Sequence, residues 1–350
     1  MATQSVKTPG GTMAPTPSAG FDFGGLLRRP ETGAFLGLAF VFIFFAIFGN
    51  ANFVQPAGAA SYLNVAANLG IVALPIGLLM IAGELDISIG AMIPAGAMTV
   101  AIVSGHFGAP ILVGMAASIG LGIVVGLING LLTVRTAVPS LIVTLGTLFA
   151  MQGLVLGLSV MLTGTTSVAL YAPDWVKLFF GSFIANSFQV IIFWWLAAVV
   201  IYAFVVHYTR YGNWLFAMGG DKESARNVGI PTDKMTIVLF VLSSTSASFV
   251  GMCQTILYNS AQVSGGMSFI FNAIVAVVVG GVLLTGGFGS VIGIFFGTLT
   301  FAIVNQGIYF TEFDANWASL IIGVLLLLAV LGNNTFRKMA LSYSPKKGKK

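Results

Sequence analysis

The sequence predicts an all-α membrane protein of about ten transmembrane helices with both termini in the cytoplasm, and three observations lead there. Of the 350 residues, 57% are apolar and only 7% charged, with a mean hydropathy of +0.99. A soluble protein could not cover so much apolar surface. The apolar residues gather into runs of about 17 to 25, the length that crosses a hydrocarbon core as a helix. Basic residues stand at the edges of these runs and collect on one side. A formal charge of +5 would suggest nucleic acid in a soluble protein. Here it marks topology, so membrane lipid is an expected partner and nucleic acid is not.

Residues 1–30 are rich in Pro, Gly, Thr and Ser, with too few apolar groups to pack, and are expected to form a disordered cytoplasmic tail. The transmembrane body follows over 31–335. Its apolar runs place spans near 33–50, 62–83, 87–104, 110–134, 139–162, 188–208, 235–257, 269–285, 290–308 and 316–333. The count explains the charges. With the N-terminus inside, Arg28, Arg29, Arg135, Arg210, Lys222, Arg226, Lys234, Arg337, Lys338 and the basic tail 336–350 all fall in the cytoplasm, while Lys177 falls outside with Asp174, Glu312 and Asp314. An odd number of spans would break that segregation.

The external connection 163–187 carries Trp175, Phe179, Phe180 and Phe183 among polar residues, the pattern of an amphipathic piece lying on the membrane surface. Glycines recur every fourth residue at Gly122, Gly126 and Gly130, and again at Gly289, Gly293 and Gly297, which puts a smooth stripe on a helix face and predicts close packing. Ser88-Ile89-Gly90, leading to Thr99–Val103, is similar to Val291-Ile292-Gly293, leading to Thr300–Val304. Both segments cross in the same direction on this span count, as a parallel internal repeat would.

The mid-chain segment 209–234 is the one charged island between apolar segments. Asp221 can accept from the open N–H groups of a following turn, Gly229 can take a left-handed stop, and Pro231 bars continuation. Together they predict a helix of about two turns over 221–229. So short a helix is marginal alone in water, so it either docks on a partner or belongs to a solvated loop.

Gly83-Glu84-Leu85-Asp86-Ile87-Ser88-Ile89-Gly90 sets two carboxylates between apolar segments, where burial at a helix centre would cost about 2.5–3.5 kcal/mol each on insertion scales. Glu84, Asp86 and Ser88 are therefore candidates for the cytoplasmic end of a gate, with an inter-span turn or a proton relay as the other readings. Asn68, Asn129, Asn272 and Asn305, together with Asn64, Gln254 and Gln306, are uncharged polar groups in or near spans. They either line a path for a polar, uncharged solute or hydrogen-bond between helices.

One cysteine and two separated histidines imply neither a disulfide nor a metal site, and no cofactor is expected. The chain has no phosphate-binding Gly-x-x-x-x-Gly-Lys-Ser/Thr loop and no nucleophile–base arrangement. It is therefore read as a transport subunit rather than an enzyme.

Three of these stretches resemble the membrane permease subunits of bacterial ribose- and simple-sugar-type ABC importers. Gly83–Gly90 is similar to the family's Gly-Gly-Ile-Asp-Leu-Ser-Val-Gly signature, with Glu84 in place of the second glycine. Phe216–Asp221 through Ala225–Ile230 is similar to its cytoplasmic coupling segment, and Ala273–Gly281 through Gly286–Gly293 to its late glycine-rich motif. The resemblance covers residues 35 to 335.

It implies an inner-membrane protein that pairs with a second permease copy and takes a simple sugar from a periplasmic binding protein. A cytoplasmic ATPase subunit would hold ATP and Mg. Gly219, Gly220, Asp221, Glu223, Ala225, Arg226 and Gly229 would then form the coupling element. A branched-chain amino-acid or nucleoside ABC permease, and a secondary transporter driven by an ion gradient, are the alternatives.

Overall fold

A computed structural model describes residues 30–327 apart from 313, 318, 322, 325 and 326. The expected N-terminal tail, the basic C-terminal tail and most of the tenth span, 316–333, lie outside these residues. Helix α1 covers Pro30–Phe48, and after a short 3-10 turn come α2 (Pro56–Ile81), α3 (Ile89–Val100, continued as a π turn to His106), α4 (Ile111–Arg135) and α5 (Ser140–Thr163). Then follow α6 (Asp174–Phe180), α7 (Ile191–Tyr208), α8 (Arg210–Gly220), α9 (Lys222–Asn227), α10 (Thr232–Tyr258), α11 (Met267–Val279) and α12 (Val291–Gly307).

Among the described residues eight helices are long and apolar enough to cross a membrane: α1, α2, α3, α4, α5, α7, α10 and α12. The difference from the expected count lies in two places. The tenth span falls mostly outside the described residues, and the eighth is the 13-residue α11, too short to cross as a helix. Its apolar run continues to 285, but the Gly280-Gly281 pair ends the helix. Gly281 is left-handed at φ +88, which lets Val282 N–H reach back to the Val277 carbonyl in a Schellman cap.

Helix α2 ends in the same way. Gly83 has φ +84, and Glu84 N–H bonds the Leu79 carbonyl at 2.9 Å. Both helices therefore stop at one end of the bundle, and α3 and α12 both set out from that end.

Burial sorts the spans into two sets. In α2, 83% of the most apolar window is buried, and in α3, α12 and α10 the share is 72%, 67% and 61%; in α1 and α7 it is 17%. The inner four form the core, while α1, α4, α5 and α7 turn side chains such as Phe40, Phe149 and Phe193 outward, as lipid-facing helices do.

Small residues let neighbouring helices meet closely. A Cβ added to Gly122, Gly126 or Gly130 would stand 2.7, 2.5 or 2.7 Å from the Cα of Thr245, Val241 or Ile237 on α10. The three partners are also four residues apart, so α4 and α10 run antiparallel with backbone against backbone. On α12 the stripe is shorter than its sequence pattern. Gly293 and Gly297 lie against the Gly280 and Ala276 carbonyls of α11, whereas Gly289 precedes the helix, in the connection capped by Ser290. The fourfold spacing thus runs across a helix start.

Connection 164–190 is folded as well as amphipathic. Strand Ser167–Ala169 pairs antiparallel with Ser260–Gln262, and Phe183–Ile184 pairs with Phe188–Gln189. In α6, Val176 is fully buried while Trp175 and Phe179 are exposed, and Phe180 stacks on Trp194 of α7 at 5.5 Å.

Candidate functional site

The charged island forms two helices rather than one. Thr209 caps α8 by accepting from Tyr211 N–H at 3.2 Å, and Arg210 lies over the Trp214 ring at 5.1 Å. Asp221 both ends α8 and caps α9, accepting from Ser224 N–H at 2.8 Å. Those backbone donors hold its carboxyl below the usual carboxylate range. At the far end Gly229 is left-handed at φ +90, and Ile230 N–H returns to the Ala225 carbonyl. Ala225 is buried, Glu223 is exposed, and Arg226 pairs with Asp233 at the start of α10.

Besides its contacts with α7 and α10, this helix pair meets the α2–α3 and α11–α12 connections. The backbone of Gly219 packs so tightly against Ile81 and Gly287 that a side chain there would collide with the Ile81 carbonyl. Gly287 N–H donates to that same carbonyl at 2.8 Å, and Lys222 Nζ reaches Glu84 Oε1 at 2.5 Å. Gly220, one residue on, faces open space. The α2–α3 connection, α8–α9 and the α11–α12 connection thus converge in a single junction, although they are far apart in sequence.

From the junction a polar network enters the core. Asp86 is 1% exposed; its Oδ1 accepts from Ser88 N–H at 2.9 Å and from Ser88 Oγ at 2.6 Å. Ser88 Oγ in turn accepts from Asn129 Nδ2 at 3.0 Å, and Asn129 Oδ1 accepts from Thr147 Oγ1 at 2.6 Å. Burial pushes the Asp86 carboxyl above its ordinary range, and the hydrogen bonds from Ser88 pull the other way. The network ties the α2–α3 connection to α4 and α5. Asp86, Ser88 and Asn129 thus bridge helices, and Glu84 belongs to the junction.

A second polar region lies farther along α2. Asn68 is thirteen residues before Ile81, about 20 Å along the helix. There α2, α10, α11 and α12 border an open cavity of about 250 Å³. Its polar lining is Asn64, Asn68, Gln189, Gln254, Asn272 and Asn305 with Tyr258, over apolar Leu69, Phe269 and Phe301. No charged side chain is among the lining residues. The volume is just under the roughly 300–1,000 Å³ typical of sites for drug-sized ligands.

Of the polar residues singled out from sequence, Asn64, Asn68, Gln254, Asn272 and Asn305 meet here, and Glu84, Asp86, Ser88, Asn129 and Gln306 do not. Gln189 and Tyr258 were not foreseen. Gln189 stands at the edge of an apolar run, where a polar residue reads as a span boundary. It reaches the cavity because Asn64 Oδ1 accepts its backbone N–H at 2.8 Å. Helix α8 was missed too, though Thr209 carries an N-cap signal.

A family model described as branched-chain amino acid transport system / permease component matches residues 58–330. The xylose/arabinose import permease protein XylH of Sulfolobus acidocaldarius is 30% identical, over 86% of this chain and 85% of its own. The inner membrane ABC transporter permease protein YjfF of Escherichia coli K12 is 31% identical over 75% and 80%, and the ribose import permease protein RbsC of the same strain is 29% identical over 75% and 81%. No solved structure matches the chain. With most of its length matched and eight spanning helices among the described residues, the chain belongs to this family of ABC transporter permease components and is a multi-pass membrane protein.

Proposed function

We propose that the chain forms the translocation path of an importer for a neutral simple sugar, a pentose, hexose or related polyol. The observation that carries this reading is the cavity: six side-chain amides and a phenol over aromatic and aliphatic surface, with no charge. A sugar ring offers hydroxyls at its edge and C–H groups on its faces, and this lining matches both. An amino acid would bring an ammonium and a carboxylate, each costly to desolvate without a partner. The cavity thus favours the sugar reading over the amino-acid one that the family description suggests. Relatives described as importing xylose, arabinose and ribose support it.

The α8–α9 pair is the docking element for a cytoplasmic ATPase subunit that holds ATP and Mg. A periplasmic sugar-binding protein delivers the solute, and a second permease copy completes the path in a bacterial inner membrane. Closure of the ATPase pair pushes on α9, and the junction passes the movement to α2, α3 and α12 as rigid bodies. Helices α2–α3 and α11–α12, with their shared caps, act as equivalent halves of a parallel repeat.

The test is uptake in cells carrying the full importer, using D-ribose, D-xylose, D-fructose, leucine and uridine as labelled solutes. The reading expects saturable uptake of at least one sugar that stops on ATP depletion and survives collapse of ion gradients. It also expects a Walker-motif ATPase to co-purify in mild detergent. Uptake of leucine alone would sink the sugar class, and uptake that dies with the ion gradient would sink the ATP-driven mechanism.

A further inference from the structure

The cavity has two unlike walls. On one, the amides are spent on each other. Asn68 Nδ2 donates to the Asn64 carbonyl and to Gln189 Oε1, both at 2.9 Å, and Asn68 Oδ1 accepts from Gln254 Nε2 at 3.2 Å. Asn64 is also committed, accepting from Gln189 N–H at 2.8 Å and donating to the Ser187 carbonyl at 2.9 Å. These side chains hold a fixed surface.

On the facing wall Asn272 of α11 lines the cavity and makes no side-chain hydrogen bond with any described residue. Asn305 of α12 accepts from Gln306 and keeps its own N–H groups open.

A primary amide offers two donors on nitrogen and two lone pairs on oxygen. Set beside two neighbouring hydroxyls, it can accept from one and donate to the other at once, and such paired contact discriminates geometry. We infer that Asn272 is the specificity-determining residue of the permease, reading a vicinal hydroxyl pair of the sugar, while Asn68 is a positioning residue that holds the opposite wall. The inference rests on the sugar reading above. It adds that this chain discriminates among sugars itself.

The experiment is uptake by the complete importer of D-ribose, D-xylose, L-arabinose and D-fructose, and of each single-deoxy analogue of whichever sugar is taken up best. Asn272→Ala should lower uptake of the preferred sugar by about three- to tenfold, the worth of one or two neutral hydrogen bonds. It should also abolish discrimination against the one or two deoxy analogues that lack a hydroxyl Asn272 binds, leaving the others as in the unaltered protein. Asn68→Ala should slow all the sugars by a similar factor and leave their ranking intact.

An Asn272→Ala importer that inserts normally and keeps both the ranking and the deoxy discrimination overturns the inference alone. Asn272→Ser, which is smaller but polar, gives the same readout if the alanine variant fails to insert. Absence of any sugar uptake by the unaltered importer overturns the sugar reading and this inference with it, a result distinct from the first.

Discussion

The cavity and the junction lie about 20 Å apart along α2, and they are built from different materials. The cavity is lined by uncharged amides and aromatic rings with room between them. The junction has a lysine–glutamate pair and glycines whose backbones touch. Recognition of a neutral solute needs open hydrogen-bonding groups and tolerates space. Transmission of a push needs the reverse, since a gap or a flexible side chain would absorb the displacement. The difference teaches where substitutions should change selectivity and where they should change mechanics.

The hardest break of that contrast is at adjacent glycines. Gly219→Val forces a side chain into the Ile81 carbonyl, and uptake should vanish while the chain still inserts; Gly220→Ala meets open space and should transport normally. Equal effects at the two positions, measured by uptake per inserted molecule, would show that the junction is loose.

Next comes the α4–α10 seam. Gly126→Leu should lower detergent stability by about 1–3 kcal/mol through overpacking. Gly120→Leu, on the same helix with nothing within 4 Å, should leave the melting temperature near that of the parent. The pair isolates close approach from loss of glycine.

Asp86 sharpens the comparison by pH. Burial raises its folded-state pKa above the unfolded value. Its contribution is therefore complete below the ordinary carboxylate range and is lost as pH climbs through the raised value. Asp86→Asn keeps the shape without the titration, so its melting temperature should depend less on pH over that window. Identical pH profiles would mean Asp86 does not titrate there.

The smallest effect belongs to the Lys222–Glu84 pair. Its ends are 34% and 12% exposed, and a pair this open is worth about 1 kcal/mol or less. Glu84→Gln should weaken uptake modestly, and the double exchange Glu84→Lys with Lys222→Glu should recover part of the loss. Failure of the exchange to restore anything would assign Glu84 to packing rather than to charge.

The α9 helix was readable because its signals are local: Asp221 supplies the cap, Gly229 the left-handed stop, and Pro231 the break. The glycine stripe on α4 was readable because a four-residue spacing on one helix fixes one face. The same spacing misled at Gly289, since period alone does not reveal that the helix starts after it. The eighth apolar run was long enough to cross, yet a Gly-Gly cap ended its helix early, because hydropathy counts residues and ignores backbone conformation.

The residues alone determined that the chain is helical and membrane-spanning. Apolar run length and charge segregation are properties of consecutive residues, and the bilayer admits few other solutions. Sequence also marked the segment that faces water mid-chain.

Tertiary structure decided which polar residues share a site. Asn68, Asn272 and Asn305 stand on three helices, and Gln189 on the strand that leads into a fourth. Their meeting depends on how α2, α10, α11 and α12 pack. Glu84 and Asp86 are two residues apart and point to different tasks, one toward Lys222 at the junction and one into the core. No spacing rule separates them, because which face of a connection is buried is set by the helices that close over it.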